Sequence, residues 1–441
     1  MSNLEYIISL IKPLWSGALL LVGSWLLLPL ALWVLPKFKS KRSAALFHSV
    51  FGVVLCFLLF KWDTLILVVG IIIGYYAISM AKPLHGSLIG FAINCFAHVL
   101  YAIRSAGWAV DISGNCMCLF MKITATAYNL SDGRKKKAGE EIKRKRWDDV
   151  ALDEKPSFLN WFAYCMTPYG AFGNPFIEYK LFDYALDVGN RKPISEDDKK
   201  LALNRYLWSF VYAAVNLFTM NYIDETIYDS EFYTNLVWCL KILFMVVITF
   251  IQLSRYFTAW YCVEAGYFAL GLYSSDIIPG DEVQNNQLTY ILQSTSCTEY
   301  MRRWNHTTHL FWKNYLYTRM LNCGFKPFTA DTAVFAASCT WHGFRPVFYI
   351  MFPETIAIMS ADKMLQKTFP LEESSSVIKK LAYNAWTILM MAYACSTFYY
   401  PSVRRFISFR NSVYWSPFIL AIGVVILCKI KAKSQKKTKK E

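Results

Sequence analysis

The chain has 441 residues, 55% of them hydrophobic, 17% aromatic and only 17% charged, with a mean hydropathy of +0.29. That balance excludes a disordered chain and an ordinary water-soluble domain, and it points to a membrane protein. The formal charge of +15 gathers in three runs, Lys37 to Arg42, Arg134 to Arg146 and Lys429 to Lys440. No nucleic-acid motif accompanies them, so they are read as marks of the cytosolic side and as attraction to anionic headgroups rather than as a nucleic-acid surface.

In chain order, Trp15 to Leu35 is the first uncharged run of about twenty residues, enough helix to cross a hydrocarbon core of about 30 Å. It lacks the basic flank and cleavage site of a secretory signal, and comparable runs follow it, so it is read as an uncleaved span. Further spans are predicted at Ala44 to Phe60, Thr64 to Met80, Ser87 to Ile103, Leu207 to Ile223, Phe232 to Leu253, Tyr256 to Tyr273, Leu381 to Tyr400 and Ser412 to Cys428. Shorter aromatic-rich runs at Gly107 to Tyr128, Phe158 to Phe176, Phe328 to Trp341 and Val347 to Met359 read as protein-buried, tilted or re-entrant.

The predicted fold is all-α, a polytopic bundle of about ten or eleven membrane segments with interfacial helices, because only helices satisfy their own backbone in lipid. Long uninterrupted apolar runs exclude a closed barrel. Four candidate segments separate the first two basic runs, an even number, so both runs face one side. A single domain over 1–428 with a basic cytosolic tail, 429–441, accounts for the chain. Lys437 and Lys439, the fifth and third positions counted back from the carboxyl end, fit a cytosolic retrieval signal of the endoplasmic reticulum and equally a membrane-surface tail.

Polar loops are expected at Ser131 to Lys155, Asp183 to Lys200 and Ser274 to Ser296, the last turning at Pro279-Gly280. An amphipathic helix begins near Glu299, with Trp304, Leu310 or Phe311, Tyr315 and Met320 on one face. The twelve cysteines are scattered, and Cys116 with Cys118 has the wrong spacing for a zinc or redox pair.

The chemistry-bearing residues are few. His342, in Trp341-His342-Gly343-Phe344-Arg345, is one of only six histidines. An imidazole is the usual general base near neutrality, and an ionisable group in an apolar segment is a functional candidate; a hydrogen-bonded core histidine is the other reading. Asn305 could donate its amide to a developing oxyanion. Asn305-His306-Thr307 and Asn129-Leu130-Ser131 formally match glycosylation acceptors, though their apolar and basic neighbours argue against modification. His306 and His309 share a helical face without further metal-type ligands nearby, so no metal is expected. Serine-hydrolase elbows, P-loops and His-Glu-x-x-His sequences are absent.

Trp304-Asn305 and Trp341-His342-Gly343 together resemble the signature of the membrane-bound O-acyltransferase family, whose asparagine and histidine stand in this order and at similar separation. Lys122-Ile123-Thr124 with Asn129 and Asp132-Gly133 is similar to a segment of its lysophospholipid acyltransferases. So is Pro156-Ser157-Phe158-Leu159, continuing through Tyr164 to Asn174-Pro175 and Tyr179. Val347, Asn160 and Asn174 depart from the residues usual at those positions, which leaves headgroup and acyl preference open. The resemblance implies transfer of an acyl group from acyl-coenzyme A to the hydroxyl of a lysophospholipid, with His342 as general base and Asn305 orienting or stabilising the reacting groups. No cofactor beyond acyl-coenzyme A as co-substrate is implied. Arg302, Arg303, Lys313 and Arg345 are candidates for a donor mouth or for interfacial anchors. Glu264 is a candidate for lining the chamber or for bridging helices. Trp304, Trp341, Phe344, Phe348, Tyr349 and Phe352 would line a substrate channel or simply pack. Sterol, diacylglycerol or protein acceptors are the alternative within the family. A transporter is the alternative outside it, although the paired repeats expected of one are not evident.

Overall fold

A computed structural model describes residues 34, 37–104, 112–167, 175–189, 191–219, 222–223, 226–286, 288–396, 398 and 402–438, with side chains to 434. The predicted Trp15 to Leu35 span apart from Val34, the Asn174 motif position and Lys439 to Glu441 lie outside them, as do parts of the Gly107 to Tyr128, Phe158 to Phe176, Leu207 to Ile223 and Leu381 to Tyr400 runs. Every regular element among the described residues is helical, as a polytopic membrane bundle requires.

Among the described residues the helices of seven residues or more are α1 (Lys41–Phe60), α2 (Thr64–Ala77), α3 (Pro83–Arg104), α4 (Ser113–Lys137), α5 (Phe158–Met166), α6 (Tyr179–Leu186), α7 (Glu196–Thr219), α8 (Trp238–Ala269), α9 (Cys297–Arg303), α10 (His306–Trp312), α11 (Pro327–Trp341), α12 (Pro346–Thr368), α13 (Val377–Ser396), α14 (Val403–Ser412) and α15 (Ser416–Thr438). Among the described residues three helical stretches are long and apolar enough to cross a bilayer, Lys41–Ala77, Pro83–Arg104 and Trp238–Ala269. A fourth counts if Val403–Ser412 and Ser416–Ser434, bent by 70°, form one span. The remaining helices are shorter or more polar, so their place in a membrane depends on protein neighbours.

The first of these stretches is two helices. Its 37 residues would extend about 55 Å as one rod, far beyond a hydrocarbon core of about 30 Å. Lys61, with φ of 52°, breaks it between α1 and α2, as the separate runs at Ala44 to Phe60 and Thr64 to Met80 predict. Exposed positions carry Leu46, Val50, Val54 and Leu58 on α1 and Leu65, Val69 and Ile72 on α2, whereas the buried ones include Ala44, Ala45, His48, Gly52, Gly70 and Gly74. Large apolar groups outside and small or polar groups inside are the arrangement of helices solvated by lipid.

Two expectations change. Phe232 to Leu253 and Tyr256 to Tyr273, read as separate spans, belong largely to one helix, α8, of 32 residues. The amphipathic helix from Glu299 is interrupted at Trp304-Asn305, resumes as α10, and widens to a π-turn over Lys313–Tyr317. Helix α15 runs on into the basic tail, through Lys429 to Thr438.

The chain divides into two compact units. The first takes the described residues of Met1–Ala213 with Tyr256–Asn285 and Thr307–Gly343, the second Ala214–Arg255 with Asn286–His306 and Phe344–Glu441. Within the first, α4 is the central element, buried from Cys116 to Gly133 along most of its length and ending in Arg134, Lys135, Lys136 and Lys137, where cations complement the helix C-terminus. Within the second, the wholly buried Arg410 pairs with Glu354 at 2.8 Å, donates to Ser396 Oγ at 3.1 Å and stacks 3.6 Å from the Tyr393 ring.

Candidate active site

His342 follows the last residue of α11, its amide bonded to the Ser338 carbonyl at 3.1 Å. Gly343 closes the turn with φ of 111°, a conformation glycine adopts without penalty. A Cβ at Gly343 would also lie 2.9 Å from Nδ1 of His98. Trp341 is buried; its indole donates to the Met117 carbonyl on α4 at 3.0 Å and its ring packs on Trp312 at 6.0 Å. The His342 ring lies edge-on to that of Trp341 at 4.7 Å, partly buried. Trp341 thus packs as a support for His342, with its carbonyl reached by Asn94 and His98 of α3 at 3.2 and 3.0 Å.

In the second unit, Asn305 has φ of 45°. Left-handed backbone is uncommon outside glycine, asparagine and aspartate, and it clusters at functional sites. Asn305 N lies 3.4 Å from Asn286 Oδ1. The helix leading to it, α9, is fastened at its start. Ser296 caps Glu299 N at 3.1 Å, and Glu299 Oε2 accepts from Thr295 N, the residue before the cap, at 3.1 Å. Asp362 of α12 accepts from Cys297 N and from Trp386 Nε1, each at 3.0 Å.

The two upstream motif segments meet in one buried network of the first unit. Asn129 donates to Glu178 at 3.0 Å, Tyr315 from the π-turn donates to the same carboxylate at 2.7 Å, and Arg146 joins it at 3.2 Å while reaching Glu282 at 3.1 Å. Burial raises the Glu282 carboxyl pKa above its usual range, and Arg146 draws it back. Asp132 takes a two-pronged bond from Arg319 at 2.9 and 2.5 Å, and that guanidinium stacks 3.7 Å from the Trp147 ring. Gly133 is required by space, since a Cβ there would come within 1.9 Å of the Leu152 carbonyl oxygen. Lys122 donates to the Tyr164 carbonyl at 2.7 Å. These motif residues hold helices together, and Asn129, with no exposed surface, cannot accept a glycan.

Glu264, fully buried, pairs with Arg205 at 2.8 Å and accepts from Asn285 N at 2.8 Å. Asn285 in turn accepts from the Thr307 hydroxyl at 2.8 Å, and that hydroxyl accepts from Phe176 N at 3.1 Å. Glu264 therefore anchors a relay between segments. Arg302 is exposed, Arg303 lies 4.9 Å from the Tyr290 ring, and Phe344 and Tyr349 are 42% and 44% exposed, while Trp304 and Arg345 are half-buried. His306 donates through Nδ1 to the Arg302 carbonyl at 2.5 Å. Among the described residues no three His, Cys, Asp or Glu side chains gather as metal ligands do.

Residue-by-residue reading passed over His98, Asn94, Glu178, Tyr315 and Arg205. Asn94 and His98 stand four apart inside a predicted span, and such a polar pair in an apolar run is the signal that could have flagged them.

The described residues form an all-helical bundle with apolar helices long enough to cross a membrane, and His342 and Asn305 each stand in a constrained turn of their own unit. The chain belongs to the membrane-bound O-acyltransferase family, whose model matches residues 14–402. It is 24% identical to rat membrane-bound glycerophospholipid O-acyltransferase 2 over 91% of this chain and 82% of that one. It is likewise 24% identical to Arabidopsis thaliana lysophospholipid acyltransferase 1, over 88% of each chain, and 22% identical to human membrane-bound glycerophospholipid O-acyltransferase 1, over 87% and 82%.

Proposed function

We propose that this O-acyltransferase moves a fatty acyl group from acyl-coenzyme A to the free hydroxyl of a lysophospholipid, in the membrane of the endoplasmic reticulum with its basic tail in the cytosol. The observation that carries the acceptor class is the likeness to glycerophospholipid and lysophospholipid acyltransferases across about nine tenths of the chain. His342 takes the proton of the attacking hydroxyl, the new ester bond forms at the thioester carbonyl, and the carbon–sulfur bond breaks. The proton passes to the departing coenzyme A thiolate, so no covalent acyl-enzyme is needed. Asn305 steadies the thioester oxygen as charge develops on it. Arg302, Arg303, Lys313 and Arg345 attract the donor's phosphates, and Trp304, Phe344 and Tyr349 line the acyl path. Glu264 and Trp341 support the substrate-binding region through the bonds described above.

Purified protein would be given a panel of lysophospholipids with oleoyl- and arachidonoyl-coenzyme A, and diacyl product followed by mass. Product formed by wild type and lost by at least about a hundredfold in His342→Ala is the expected result. Folded wild type inactive on every lysolipid yet active on a sterol, diacylglycerol or peptide would move the acceptor class.

A further inference from the structure

We infer that His98, with Asn94, is the positioning device for His342, an inference that rests on the proposed role of His342 as base. The Trp341 carbonyl is among the last four of α11, which no intrahelical amide can satisfy. It accepts instead from Asn94 Nδ2 at 3.2 Å and from His98 Nε2 at 3.0 Å, both on α3. A carbonyl oxygen only accepts, so His98 carries its proton on Nε2, and Nδ1 is the ring's acceptor nitrogen.

That acceptor edge faces the other side of the same turn. A Cβ on Gly343 would lie 2.9, 3.2 and 3.3 Å from Nδ1, Cγ and Cε1 of His98. One imidazole thus holds the carbonyl before His342 and fills the space beside the residue after it. The peptide plane before His342 is held by a ring more than two hundred positions away in sequence, and the same ring packs beside Gly343, the residue after it. The tryptophan ring beneath His342 is tethered separately, to Met117 of α4. Because Nδ1 lies against Gly343, the geometry assigns His98 to positioning, and proton abstraction stays with His342.

The role makes the Nε2–H donor the feature that counts, and glutamine can return a donor to nearly the same point. Turnover and KM would be measured for wild type, His98→Leu, His98→Gln, Asn94→Ala and His342→Ala. His98→Leu is expected to lower kcat about tenfold or more, the scale of one misaligned bond, with both KM values within about twofold. His98→Gln should recover most of that loss, and Asn94→Ala should show a smaller fall in kcat. Equal kcat in the leucine and glutamine variants, or losses confined to KM, would overturn the inference while His342→Ala stays inactive. If His98→Leu does not fold, Asn94→Ala and His98→Gln decide: kcat must fall in the first and be largely kept in the second. Normal turnover in folded His342→Ala would instead remove the base itself, and the positioning role with it.

Discussion

Asn305 sits in a backbone conformation that costs most L-residues about 1–2 kcal/mol. This separates its side chain's role from its backbone's. Glycine tolerates φ of 45° and lacks the amide, while alanine lacks both advantages. Asn305→Gly should therefore be at least as stable as Asn305→Ala by thermal unfolding in detergent, by about 1 kcal/mol. Both should nonetheless lose acyl transfer by about tenfold to a thousandfold if the amide stabilises the oxyanion. A glycine variant with near-normal kcat would show that only the turn matters. Gly343→Ala makes the complementary test. Its φ of 111° and the 2.9 Å approach to His98 oppose any side chain, so kcat should fall sharply even though the change adds one methyl group. The candidate histidine and asparagine can be singled out in the sequence because they stand in short motifs. His98 cannot, because its partner is set by packing between helices remote in sequence.

At the scale of elements, the first unit is held by ionic groups placed where an apolar core would be simpler. Asp132 on α4 and Arg319 after the π-turn have side chains only 3% and 13% exposed. Removing one member strands the other, at a cost of about 3–5 kcal/mol, whereas an apolar replacement of both costs far less. Asp132→Ala should lower the melting temperature in detergent markedly, and Asp132→Ala with Arg319→Met should recover a large part of it. Equal destabilisation by the single and double variants would show that Arg319 contributes through its stacking on Trp147. The same logic explains why the helix expected to run unbroken from Glu299 does not. Asn305 breaks it, and the π-turn brings Tyr315 within 2.7 Å of Glu178, a fit that periodicity does not encode. In the fused helix α8, polar residues that looked like a boundary are accommodated instead. Ser254 donates to the Ile251 carbonyl at 2.5 Å, and Arg255 reaches the Ile223 carbonyl at 2.9 Å. A loop is unnecessary once those groups have partners.

At the scale of the molecule, membrane orientation follows from how many times α1 to α4 cross. The chain leaves one basic run at Arg42 and enters the next within α4 at Arg134, with four helices between the two. If each crosses, both runs face one side, and the bias of lysine and arginine makes the cytosolic side the expected one. The weak member is α2, whose 14 residues give only about 21 Å of helix against a core of about 30 Å. It can cross only if the membrane thins or if the 3-10 turn at Lys61–Asp63 lies within the headgroup layer, where Lys61 and Asp63 would be solvated. An epitope inserted after Gly139 and another at the carboxyl end can decide this in cells whose plasma membrane alone is permeabilised. Both epitopes are expected to be stained. A Gly139 epitope stained only after the internal membranes are opened, while a third epitope placed just before Lys37 is stained without opening them, would mean that the helices between the two runs make an odd number of crossings. The shortness of α2 would then mark it as re-entrant, and the basic run at Arg134 to Arg146 would lie on the lumenal side despite its charge.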